Sequence, residues 1–161
     1  MQVTFEIDDS KLEARLSGMT ARIQTALAQK LTALALKLEN HIKADKLSGQ
    51  VLNVRTGALR RSIFTTVETA PNEVTATVAS SSDVPYGRIH EFGGAIDIPE
   101  ITPVKAQALH FVINGKDVFA KRVRAHTVHM PERSFMRSAL ADMEAEIRNG
   151  IKEAVEQGAA G

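Results

Sequence analysis

Arg55-Thr56-Gly57-Ala58-Leu59-Arg60-Arg61-Ser62-Ile63 is the stretch on which the fold turns. The chain before it has the apolar spacing of helices, and much of the chain after it has the alternation of strands. Thr56 is suited to cap a short helical turn, and Gly57 relaxes the backbone beside it. Leu59 and Ile63 stand four apart and can face one core. Arg60 and Arg61 cannot both be buried, so at least one guanidinium is expected to point outward.

Upstream, Met19, Ile23, Leu27, Leu31, Leu34, Leu38 and Ile42 recur every three or four residues, which predicts a long amphipathic helix over about 19–44. At 1.5 Å per residue it would run on the order of 36 Å, long enough to cross a sheet. Before it, Val3, Phe5 and Ile7 alternate with polar residues as in a short strand, and Ser10 with Glu13 has the spacing of a capping box. Between helix and pivot the periodicity stops, and residues 45–54, with Ser48-Gly49-Gln50, are read as a flexible loop.

Downstream, residues 63–69 and 74–80 are rich in Thr and Val, and Ala70-Pro71-Asn72-Glu73 between them has turn chemistry, so the pair reads as an antiparallel hairpin. Pro85 opens one or two helical turns carrying Tyr86, Ile89 and Phe92 on one side, ended by Gly93-Gly94. Pro99 and Pro103 break up residues 95–107, which are read as an irregular, flexible loop. Residues 109–113 and 118–123 flank Asn114-Gly115, the favoured type I′ turn pair, and predict a second hairpin. After Pro131 a last helix over about 134–156 carries Phe135, Met136, Leu140, Met143, Ile147, Ile151 and Val155, weakened by Gly150. Residues 158–161 read as a flexible tail. The expected fold is therefore α+β, with two long amphipathic helices packed on an antiparallel, hairpin-built β-sheet in one domain over 1–161.

Composition narrows the function classes. The chain has 161 residues, a net charge of +1 and no cysteine, which removes disulfides, thiolate nucleophiles and cysteine metal sites. No apolar run reaches the roughly 20 residues of a membrane span, and the N-terminus lacks the basic and apolar stretches of a signal peptide, so a soluble, unexported protein is expected. With Tyr86 the single tyrosine and no tryptophan, a stacking ladder for single-stranded bases is not available.

His126, His129, His90 and Glu91 form the one metal-like set, but residues three apart on a strand face opposite ways and the set has no ligand spacing, so no metal and no cofactor is expected. No nucleophile elbow, phosphate-binding glycine loop or paired carboxylates appear, and an enzyme is not expected. Charge is polarised: residues 104–137 hold seven Lys or Arg against Asp117 and Glu132, while residues 138–157 hold two basic and five acidic residues. If Arg60 and Arg61 fall near Lys121, Arg122 and Arg124, a basic face results, suited to an acidic subunit surface or to a phosphate backbone.

Three separated motifs resemble those of the small head-tail joining proteins of long-tailed bacteriophages, the neck or tail-completion proteins. Arg55-Thr56-Gly57-Ala58-Leu59-Arg60-Arg61-Ser62-Ile63 is similar to that family's Thr-Gly-x-Leu-Arg-x-Ser lead into the sheet. Tyr86 followed by His90-Glu91-Phe92-Gly93-Gly94 resembles its tyrosine and Glu-Phe-Gly element, and Pro131-Glu132-Arg133-Ser134-Phe135-Met136-Arg137-Ser138-Ala139-Leu140 resembles the start of its last helix, with Ser134 and Ser138 where proline is commoner. The resemblance implies a virion structural protein without catalytic residues, built into the neck or tail after assembly in the host cytoplasm. It implies a homo-oligomeric ring between capsid connector and tail, whose partners are copies of itself and neighbouring neck, connector, tail-tube or tail-terminator proteins, with packaged DNA as a possible neighbour and no membrane. The alternative from the residues alone is a nucleic-acid-binding module using the basic hairpin 118–124.

Overall fold

The computed structural model describes residues 10–71 and 73–160, with the backbone alone for 10–17. The expected strand at Val3, Phe5 and Ile7, and the Ser10 and Glu13 side chains of the expected capping box, lie outside the described residues. The described residues form two compact units, one of those up to 87 together with those from 134 onward, the other of residues 88–133. The class is α+β: long helices and antiparallel strand pairs.

In the first unit, α1 (Ser10–His41) continues as a π-helical segment, Ile42–Gln50, then α2 (Ala58–Ser62) leads into β1 (Ile63–Ala70) and β2 (Glu73–Ser80), and α4 (Met136–Ala160) returns at the end. Helix α1 is longer than its apolar stripe predicts and runs straight through Gly18, a residue that weakens a helix by about 1 kcal/mol without having to end it. Strands β1 and β2 pair in register from Ile63 opposite Ser80 to Ala70 opposite Glu73. Their alternation sets Thr65, Val67, Val74, Ala76 and Val78 on the more covered side. Helix α1 packs against this ribbon and also against α4.

The core gathers Ile42, Leu47, Ile63, Phe135 and Ala139, with Leu38, Val51, Leu52, Leu59, Val78 and Met136 around them. Helix, pivot, hairpin and last helix thus share one apolar centre, which is why the short motifs around residues 55–63 and 131–140 have to meet. Of residues 45–54, read as a flexible loop, 45–50 belong to the π-helical segment and 51–54 are irregular. Leu47 and Lys46 are buried, and the Lys46 carbonyl accepts both the Val51 N–H (3.1 Å) and the Leu52 N–H (3.0 Å). The helical period is lost there because the turns widen and because Ser48 and Gly49 leave helical angles, Gly49 at φ 125°.

The tail reading is also corrected. Helix α4 extends to Ala160, and Gly158 is buried against α1, where a Cβ would lie 2.5 Å from the Cα of Ile23. The buried line of α4 is Ala139, Met143, Gly150, Ala154 and Gly158, mostly small residues that let two helices approach closely. Leu140, Ile151 and Val155, counted in the expected apolar stripe, are exposed instead.

The second unit holds most of α3 (Tyr86–Phe92), then β3 (Gly94–Ile98), β4 (Leu109–Ile113), β5 (Lys116–Ala120) and β6 (His126–Met130). β4 and β5 form the expected hairpin, with Asn114 at φ 51° and Gly115 at φ 75° as a type I′ turn requires. Residues 95–107 are only partly irregular: β3 pairs antiparallel with β6, and Ile101 bridges to Val123. Among the described residues the strands make three two-stranded ribbons. Among the described residues no helix is long and apolar enough to cross a membrane.

Candidate functional site: the motif junction

The first motif is a capped turn. Gly57, at φ 72°, takes the N-cap position of α2 that Thr56 was expected to fill. Thr56 serves one residue earlier, its Oγ1 accepting the Ala58 N–H at 3.3 Å. A β-carbon at position 57 would meet left-handed strain and the Arg61 guanidinium, whose Nη1 would be 3.0 Å away. Arg60 and Arg61 are both exposed, and Arg61 folds back along the surface, its Nη1 donating to the Thr56 carbonyl at 3.2 Å. At the end of α2, buried Ser62 donates to the Leu59 carbonyl at 2.7 Å and bonds Ser80 Oγ at 2.9 Å. The Ser81 N–H then closes on the Ser62 carbonyl at 2.9 Å, fixing the hairpin base to the pivot.

The second motif meets the first at Gly87, where a Cβ would stand 3.1 Å from Leu59 Cδ1. The buried positions of α3 are Gly87 and Glu91, whereas Tyr86 and Phe92 are exposed. Gly93, at φ 67°, packs against the third motif: a Cβ there would be 2.8 Å from the Glu132 nitrogen and 3.0 Å from the Met130 carbonyl oxygen. The Arg133 N–H also donates to the His90 carbonyl at 2.8 Å. Beyond Pro131, Phe135 enters the buried cluster that also holds Ile63. Within the first unit Leu59 lies against Gly87 and Ile63 shares a core with Phe135, and within the second unit Gly93 lies against Glu132. These residues are selected by close approach and backbone geometry, the demands of a structural joint.

The proposed basic face divides between the units. Arg60 and Arg61 belong to the first, and Lys121, Arg122 and Arg124, all exposed, belong to the second. Arg122 faces Glu100 at 3.7 Å, a surface pair that contributes little by itself. His126 and His129 stand on β6 opposite Ile98 and Ala95, and among the described residues no three His, Asp or Glu side chains gather as metal ligands would.

Sequence reading missed a charged cluster at the end of α1. His41 bonds Asp45 through Nδ1 (2.6 Å) and Asp142 on α4 through Nε2 (2.9 Å), while the buried Lys46 reaches Asp142 at 2.7 Å. Two ring nitrogens facing carboxylates favour the imidazolium, which donates from both. The bond to Asp142, then that to Asp45, raises the His41 pKa above its usual range. Lys46, then His41, lowers that of Asp142. The i,i+4 spacing of His41 and Asp45 was visible, but nothing in the chain pointed to Asp142. A second tie joins α1 to the hairpin, with Thr65 Oγ1 donating to Glu39 Oε2 at 2.6 Å and Lys43 on the other oxygen at 2.5 Å. Lys43 and Thr65 hold the Glu39 carboxyl below its ordinary value. Both clusters bind helices and ribbon together. Compared with protein-family models, curated proteins and solved structures, the chain matches none.

Proposed function

We propose that the chain is a non-enzymatic structural component of a phage neck or tail-completion ring, joining capsid connector to tail. The observation that carries this reading is that residues of the three resembling motifs pack together within each unit, Leu59 with Gly87 and Ile63 in one core with Phe135 in the first, Gly93 with Glu132 in the second. Exposed apolar side chains support it further: Phe119, Val112, Ile113 and Leu140 are uncovered on surfaces that a solitary subunit has no reason to leave apolar.

Deletion of the gene from the phage genome that would encode it is the test. The expected result is filled heads and separate tails, which the purified chain joins into infectious particles. Infectious particles formed without it would overturn the reading. Salt-steep DNA binding by the purified chain, lost on neutralising Lys121, Arg122 and Arg124, would replace it with the nucleic-acid module.

A further inference from the structure

Two surfaces of this chain differ in shape, agree in apolarity and oppose each other in charge. On α4, Leu140 is 50% exposed and Ile151 and Val155 are exposed with it. Helical geometry puts these three within roughly 60° of arc over roughly 22 Å of length. On the β4–β5 ribbon, Val112 and Phe119 are 65% and 69% exposed. Because His110 pairs with Phe119 and Val112 with Asp117, strand alternation puts all four on one face.

That face is preorganised. The His110 ring stacks on Phe119 at a centroid separation of 4.9 Å, and His110 Nε2 is tied to Asp117 at 2.7 Å. A large aromatic side chain held in place while exposed loses little freedom on being covered, which is the property of an interface anchor. Its strands, five residues each, extend roughly 17 Å, close to the length of the α4 patch.

Charge chooses the pairing. The ribbon and its following turn carry Lys116, Lys121, Arg122 and Arg124 against Asp117, and residues 138–157 carry Asp142, Glu144, Glu146, Glu153 and Glu156 against Arg148 and Lys152. The α4 carboxylates are all about half exposed or more despite their ion pairs, so they still set the local field. Ribbon against ribbon or α4 against α4 would bring like charge together, whereas ribbon against α4 joins opposite charge around an apolar centre.

We infer that the His110, Val112 and Phe119 face of the β4–β5 ribbon of one copy covers the Leu140, Ile151 and Val155 face of α4 in a second copy. The contact is heterologous, leaving one free patch at each end of any open chain of copies, and it propagates until a ring closes. Ring closure rests on the proposed neck function; the contact itself does not.

Light scattering on the purified full chain, with Phe119→Glu and Leu140→Glu made singly, tests it. Each variant is expected to raise the concentration for half-assembly by about tenfold or more. Both substitutions are at exposed sites, and circular dichroism is expected to show native helix content. An equimolar mixture of the two is expected to give dimers and nothing larger, because the intact α4 of one meets the intact ribbon of the other. Should either protein misfold, Val112→Lys and Val155→Glu repeat the design. A wild-type chain that stays monomeric, a variant that assembles as wild type, a single variant that dimerises alone, or a mixture that stays monomeric would each overturn the contact. Rings that survive both substitutions sink this contact and leave the joining role standing. Failure to join heads and tails sinks the role and leaves the contact standing.

Discussion

Gly158 on α4 lies over the backbone of Ile23 on α1, so closely that a β-carbon there would stand 2.5 Å from the Ile23 Cα and 2.8 Å from its nitrogen. Backbone cannot swing aside as a side chain can. Gly158→Ala is therefore expected to destabilise by about 1–3 kcal/mol, the range for overpacking, despite alanine's better helix propensity of about 1 kcal/mol. Gly150→Ala differs: its Cβ would press on Lys30 Cε and Leu34 Cδ1, of which the lysine end can move. Its cost should be the smaller of the two in urea melts, and an equal or larger cost would contradict this account of the helix contact.

Two nearby leucines on α1 test the assignment of its faces. Leu34 is 6% exposed and Leu36 is 53% exposed. Leu34→Ala is expected to cost about 2–5 kcal/mol, as when a packed site is emptied. Leu36→Ala is expected to stay within about 0.5 kcal/mol. Similar losses from both would show that the chain's own core is not what covers this helix.

The pH dependence of stability has two arms. His41 has a raised folded pKa, so its contribution is fully present below its ordinary value of 6.5 and is lost as pH rises through the folded value. Asp142 and Glu39 have lowered folded pKa values, so theirs is present above the ordinary 3.8 and 4.5 and is lost as pH falls through the folded values. Melting temperature is thus expected to be highest between the carboxylate and imidazole ranges. In His41→Gln the decline on the alkaline side should flatten, and an unchanged alkaline slope would count against the cluster.

Arg60 and Arg61 should fail differently. Both are exposed, but Arg61 also holds the Thr56 carbonyl. Arg61→Ala is expected to lower stability by about 0.5–1 kcal/mol, the size of an exposed hydrogen bond. Arg60→Ala should melt as wild type and reduce head-to-tail joining, measured by complementation. Full joining activity from both variants would remove this pair from the proposed assembly surface.

Much of the architecture was legible because it depends on local chemistry. Asn114-Gly115 specified its own turn, the Thr and Val runs specified β1 and β2, and the stripe through Leu34 and Ile42 specified α1. Pairings between distant segments were not legible. Strand β3 carries a glycine start and a proline boundary, so it reads as loop until β6 arrives to pair with it. In α4 the large apolar residues drew attention to one face, whereas the helix buries the neighbouring line of small ones. Hydrophobicity marks what can be buried, while close approach between helices is set by what is absent at Gly150 and Gly158. The candidate site was legible as three motifs, but their mutual contacts depend on backbone geometry, and the role of Asp142 beside His41 depends on which turn of α4 passes the end of α1.

The division of the chain bears on how it folds. Residues 88–133 form a unit of their own inside the sequence of the other, so α4 docks on α1 only by closing a loop around that excursion. The contact of Ile23 with Gly158 spans most of the polypeptide, and each such closure costs chain entropy before any packing rewards it. A protein whose largest element contact is a helix pair is therefore expected to collapse with the slowness of one ruled by long-range pairing. Until α4 arrives from the end of the chain, α1 and the first hairpin lack Phe135 and Ala139, and their apolar surface is open to other chains.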